Sequence, residues 1–235
     1  MDIKATIGYS SGLCCRHNNG NIENIQVYGK IINGIASAGT NAIASICNTN
    51  SGNITRSINH AQLIGTSNNQ GRIGGLCVYN SGNIEKSINY GEISLGYYQG
   101  GIVSSNQENG TIKECINYGN LPSNNDYKGG ISGSNSGKIE FCYNKGNVLG
   151  RNCVGKITGQ LNQTGNISNS YYLNKKNDNT IEGKIYNNSG TLVNYTQEEM
   201  KSEEVITILN EGNQNSIYKK DLNNINEGYP VFEWQ

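Results

Sequence analysis

The chain has 235 residues, with 18 basic and 18 acidic side chains, zero formal net charge and a charged fraction of 15%. That fraction is well below the ~25% of ordinary soluble domains, and no basic stripe exists, so nucleic acid is not an expected partner. No run of 18 apolar residues exists either, so no membrane-spanning helix is expected. About 40 Asn and 31 Gly against two Pro describe short strands joined by tight turns.

Six polar turns end in glycine, at Gly20, Gly52, Gly82, Gly110, Gly137 and Gly165, spaced by 32, 30, 28, 27 and 28 residues. A period in this range marks a stacked array in which each unit buries its apolar side against its neighbours. The first copy, residues 1–33, carries Leu13, Ile22, Tyr28, Gly29 and Ile31. The second, roughly 34–63, opens irregularly over Gly34–Ala44 and recovers at Ser51-Gly52-Asn53-Ile54. The third runs to about Leu95 and is the most regular. The fourth, from Gly100-Gly101-Ile102-Val103, has an expanded turn, Asn106–Gly110. The fifth begins at Gly129-Gly130-Ile131. The sixth, Val154–Tyr172, is degenerate, with Lys156 in place of a paired glycine.

Within each copy the apolar runs are two to five residues long, with no 3.6-residue period, which is strand patterning. Three short strands per turn in parallel register predict a β-solenoid. Ile22, Ile54, Ile84, Ile112, Ile139 and Ile167 should form one inward ladder, and Asn59, Asn89, Asn117 and Asn144 another. The turn glycines are expected to supply positive φ.

The pattern stops near Leu173, dividing the chain into repeats over 1–173 and a cap over 174–235. Residues 174–195 read as a polar loop with one hairpin. Thr196 and Glu199 form a capping box that opens one helix over about 197–210, closed by Gly212. The aromatic tail Gly228–Trp234 should be a terminal strand. Solenoid ends expose core, so this cap is expected to cover the last coil. The fold class is therefore all-β, a parallel β-helix of about six coils with a small C-terminal α+β cap.

The stretch Gly129-Gly130-Ile131-Ser132-Gly133-Ser134-Asn135-Ser136-Gly137-Lys138-Ile139-Glu140-Phe141-Cys142-Tyr143-Asn144-Lys145-Gly146-Asn147-Val148 resembles the GLUG repeat, and the likeness covers residues ~8–172. The end, Asn226–Trp234, also looks like the segment that closes such arrays. The resemblance implies a right-handed β-helix in a secreted or cell-surface bacterial protein, adhesin-like in some cases. In others such repeats accompany immunoglobulin A peptidases of the zinc metallopeptidase kind. The start, Met1–Gly8, lacks the apolar core of a signal peptide, so the chain reads as a piece of a longer exported protein.

The residues offer little catalytic chemistry. His-Glu-x-x-His is absent, the only histidines are His17 and His60, and no metal or cofactor is expected. Asp2, Asp126, Asp178 and Asp221 share no repeat phase, which disfavours the paired carboxylates of a β-helix polysaccharide lyase or hydrolase. Glu23, Glu85, Glu114 and Glu140 read as an outward row of solvated charges. Cys14, Cys15, Cys47, Cys77, Cys115, Cys142 and Cys153 read mainly as buried free thiols at repeat phases, with inter-coil disulfides or a metal site as alternatives.

Eight residues after successive turn glycines come Tyr28, His60, Tyr90 and Tyr118, then Lys145. On a solenoid these stack as a stripe. It is either a binding surface for a glycan or for a host or bacterial surface protein, or packing beneath the corners. The expected function is a non-catalytic binding module or spacer. The alternatives are a β-helix carbohydrate-active enzyme and the non-catalytic arm of a larger surface protease. Oligomeric state is left open.

Overall fold

The computed structural model describes residues 5–7, 11–33, 41–65, 71–173, 184–185, 192–211 and 216–235. The chain winds as a parallel β-solenoid. Its third coil shows the plan, with strands Arg72–Gly74, Cys77–Asn80, Asn83–Glu85, Ile88–Asn89 and Ile93–Ser94. The first four pair in parallel with their equivalents one coil before and after, so Ile84 lies between Ile54 and Ile112, while Ile93–Ser94 pairs only with the coil before. The sheet containing Cys77–Asn80 and the one containing Ile88–Asn89 have seven strands each, those of Arg72–Gly74 and Asn83–Glu85 six, and that of Ile93–Ser94 four. The third coil thus has five strands where the sequence suggested three, because corners and close-packed glycines cut the chain into pieces of two to four residues.

The corners reverse an expectation about glycine. The residue four after each turn glycine is left-handed and is never glycine: Asn24, Arg56, Lys86, Glu114, Phe141 and Asn169 have φ between 44° and 57°. The turn glycines are kept for close approach instead. A methyl group on Gly82 would collide with the carbonyl oxygen of Gly52 in the coil below, and one on Gly52 with that of Gly20.

The predicted ladders form the interior. Ile54, Ile84, Ile112 and Ile139 are fully buried and in register. Asn59 Nδ2 donates to Asn89 Oδ1 at 2.7 Å, Asn89 to Asn117 at 2.8 Å and Asn117 to Asn144 at 2.8 Å. Each amide also donates to the carbonyl two residues on, so burial leaves no donor unpaired. The sequence reading missed a second ladder, Asn18–Asn50–Asn80–Asn106–Asn135, with bonds of 2.7–2.9 Å.

All seven cysteines are free thiols, and Cys47, Cys77, Cys115 and Cys142 are buried. Cys14 is exposed and Cys15 and Cys153 half-buried, so the stacked-thiol expectation fails at those three. Cys115 and Cys142 share a column with Ser57, Ser87 and Ser170 for a specific reason. Each side chain donates to the carbonyl two residues before it. Ser87, Cys142 and Ser170 also accept the backbone N–H of the equivalent residue one coil earlier. Ser and Cys are the small side chains that can do both.

The C-terminal region departs from expectation in three ways. Parallel pairing continues past residue 173, with Lys184–Ile185 on Thr158–Leu161 and Leu192–Tyr195 on Ser170–Leu173, where a hairpin was expected. Two short helices replace one: α1 (Gln197–Met200) with the Thr196–Glu199 capping box, and α2 (Glu203–Leu209) capped by Ser202. The extended backbone of Ser202 separates them. Gly212 lies outside the described residues. Third, the cap lies along the solenoid's flank. Met200, Val205, Leu209, Tyr218, Tyr229 and Phe232 cluster on the outward side chains of the Ile88–Asn89 sheet, namely Ile58, Ile88, Ile116, Tyr143 and Tyr171. Strands of that sheet alternate Asn inward with an apolar residue outward, so the outer row needs cover, and the cap supplies it.

Candidate binding surface

The corner after the Ile88–Asn89 sheet carries the aromatic stripe. Tyr28, His60, Tyr90 and Tyr118 stack ring on ring at centroid separations of 4.4, 5.0 and 4.8 Å, with interplanar angles of 6°, 3° and 20°. These spacings follow from the inter-strand distance of a parallel sheet, ~4.8 Å, which is also a stacking distance for rings.

The two ends of the column differ. Tyr28 is 53% exposed and its hydroxyl donates to Gln26 Oε1 at 2.5 Å. His60 is half-buried, and burial lowers its pKa. At the other end the tail closes over the rings. Gln235 donates to the Tyr90 hydroxyl at 3.2 Å, and the Tyr118 hydroxyl donates to the Pro230 carbonyl at 3.0 Å and contacts Tyr143 and Asn226. Burial raises the pKa of both tyrosines. Lys145, next in phase, sits over the Tyr229 ring at 4.3 Å and pairs with Glu227 at 2.7 Å. The four residues therefore form one column whose Tyr28 end is exposed and whose Tyr118 end is tied down by the tail.

A second aromatic group lies near the start of the Arg72–Gly74 sheet and was not singled out from sequence. The Arg72 guanidinium lies 4.0 Å from the Tyr98 ring centre, and Tyr98 stacks on Tyr127 at 4.4 Å. Its signal was a constant offset: Arg72, Tyr98 and Tyr127 each stand two residues before the first glycine of a Gly-Gly pair. The mixed residue types hid it.

Candidate acids and bases do not converge. Glu85 and Glu140 flank Lys113 in register on one row. Glu114, expected on that row, is instead buried in the corner beside Lys113 at 3.2 Å. Lys128 is fully buried and donates to the carbonyls of Leu121 at 2.9 Å and Leu149 at 2.6 Å and to the Ser123 hydroxyl at 3.1 Å. Burial draws its pKa down to about 7, but it faces backbone and no cleft. Among the described residues, no three His, Cys, Asp or Glu side chains group as metal ligands. Among them also, no helix is long and apolar enough to cross a membrane.

One solved structure is similar over nearly its whole length. It is a candidate immunoglobulin A1 protease from Bacteroides ovatus, 17% identical, with a TM-score of 0.58 over 92% of this chain and 91% of that one. At this identity the likeness is one of fold. No protein-family model and no curated protein matches the chain.

Proposed function

We propose that this chain is a non-catalytic repeat domain of a secreted or cell-surface bacterial protein. It binds glycan through the open end of the aromatic column. The observation that carries the reading is the parallel stack of Tyr28 on His60 with Tyr28 half exposed. A flat, wettable ring edge and face of this kind packs against sugar rings. The GLUG resemblance of residues ~8–172 supports the surface setting. The scattered carboxylates support the non-catalytic reading, since glycoside chemistry needs two acids across one bond. A second reading, the non-catalytic arm of a larger surface protease, draws on the fold shared with the Bacteroides ovatus chain.

The test is a glycan array read beside a melting curve, on the wild type and on Tyr28→Ala/His60→Ala. The reading expects loss of glycan binding with little change in melting temperature. Unchanged binding by the double variant, or no binding by the wild type, overturns it. Cleavage of a polysaccharide in the same assay would replace it with the enzyme alternative.

A further inference from the structure

We infer that Arg72, with Tyr79, Tyr97, Tyr98 and Tyr127 around it, forms a second surface site that takes the carboxylate of an acidic sugar. The Arg72 guanidinium packs against two rings, 4.0 Å from the centre of Tyr98 and 5.5 Å from that of Tyr79. Tyr98 is backed by Tyr127, and Tyr97 stands edge-on to Tyr98 at 5.2 Å and 77°. All five residues are partly exposed. Ring packing of this kind immobilises a guanidinium by its face and leaves the N–H groups in its plane for a partner.

Among the described residues, Arg72 makes no ion pair. The carboxylate next to Tyr127, Asp126, is held by Arg151 at 3.5 Å and by the Asn152 backbone N–H at 3.2 Å. Among the described residues no acid pairs with this planar fork, and a carboxylate is the group that fits it bidentately.

The surroundings decide among carriers of that carboxylate. Four phenol rings offer ring faces and edges to a hydroxyl-rich pyranose. An acidic peptide would need a free strand edge for backbone pairing, and the strand Arg72–Gly74 is paired on both sides, with Ala42–Ala44 and Tyr98–Gly100. A polyphosphate or nucleic acid would need several cations. Arg72 supplies one. The site lies on a different corner from the Tyr28 column and does not depend on it.

The experiment is titration of the full chain with three probes: an oligogalacturonate, a neutral galacto-oligosaccharide of equal length, and a poly-glutamate peptide. The wild type should bind the uronate in preference to both others. Arg72→Gln should weaken uronate binding roughly tenfold or more, and Arg72→Lys should recover only part of it, because a point charge replaces the fork. The same titrations in the Tyr28→Ala/His60→Ala background remove any contribution of the column, so failure of this site and failure of the Tyr28 column are read separately. Tyr97→Ala, which spares the guanidinium, serves if Arg72→Gln lowers the melting temperature; it too should weaken uronate binding. Equal affinity for the neutral sugar or for poly-glutamate, or full uronate binding by Arg72→Gln or Tyr97→Ala, would overturn the assignment.

Discussion

At position 114 a carboxylate occupies a left-handed corner at 1% exposure, with φ of 54°. The sequence suggests an outward row with Glu85 and Glu140, although Glu114 stands four residues after Gly110, one beyond the usual offset. The expansion of that turn lies before Gly110, so nothing after it shifts. Lys113 keeps the outward phase between Glu85 and Glu140, and Glu114 drops into the corner. Burial raises its pKa, against the pull of Lys113 and Lys86. The sign follows from linkage. With the folded value above the unfolded one, the side chain favours the fold in its protonated form, below the ordinary carboxylate range. That contribution is lost as pH rises through the raised folded value. Glu114→Gln should therefore gain stability relative to wild type as pH goes from 4 to 7. Urea denaturation at pH 4, 5.5 and 7 checks this; a variant that loses ground with rising pH would show that the two lysines outweigh burial.

At the scale of the coil, glycine and the left-handed corner exchange their expected roles. Gly82→Ala should cost several kcal/mol, because the added methyl meets the Gly52 backbone and a stacked coil has no room to yield. Arg56→Gly, at φ of 47°, should change stability by less than about 1 kcal/mol. It relieves a strained corner and gives up an exposed pair with Glu23 and an exposed hydrogen bond from Arg56 Nε to Asn24 Oδ1 at 3.3 Å. Chemical denaturation of the two variants reads the contrast, and equal costs would return positive φ to the turn glycines.

The same elements show what sequence can and cannot disclose. The Ile84 and Asn89 ladders were legible because one residue type returned at one phase with no competing explanation. The Asn50–Asn80 ladder was equally periodic, but Asn shortly before a glycine already had a reading as turn chemistry, so its inward direction went unseen. Arg72, Tyr98 and Tyr127 share a phase and no residue type, so only register brings them together. The stripe was legible as a column. Its division into a covered and an open end was not, because it depends on a tail more than a hundred residues away.

That tail sets the behaviour of the whole molecule. Phe232 is fully buried, stacked on Tyr218 at 5.0 Å and on Trp234 at 5.4 Å. Phe232→Ala should destabilise by ~3–5 kcal/mol. The amides of Ile88 and Ile116 should exchange faster in the variant, since the cap is what shields their outer face. Trp234 fluorescence in denaturant and hydrogen exchange measure the two effects. Protection at Ile88 unchanged in the variant would mean that the cap contributes nothing to the sheet beneath it.

Because the cap is laid along the flank, the molecule is mechanically lopsided. Polar contacts of the cap reach from Phe141 in the fifth coil, bonded by Tyr218, down to Tyr90 in the third, bonded by Gln235, binding several coils together like a splint. The first coil has only Gln26, exposed, where later coils carry a covered apolar residue. Tension applied through the two termini should then be released in two events. The coil of Gly20 peels away first at low force, paying out roughly 110 Å of chain for its 33 residues. The splinted remainder should hold until the tail itself is torn from the sheet, and then fail at once.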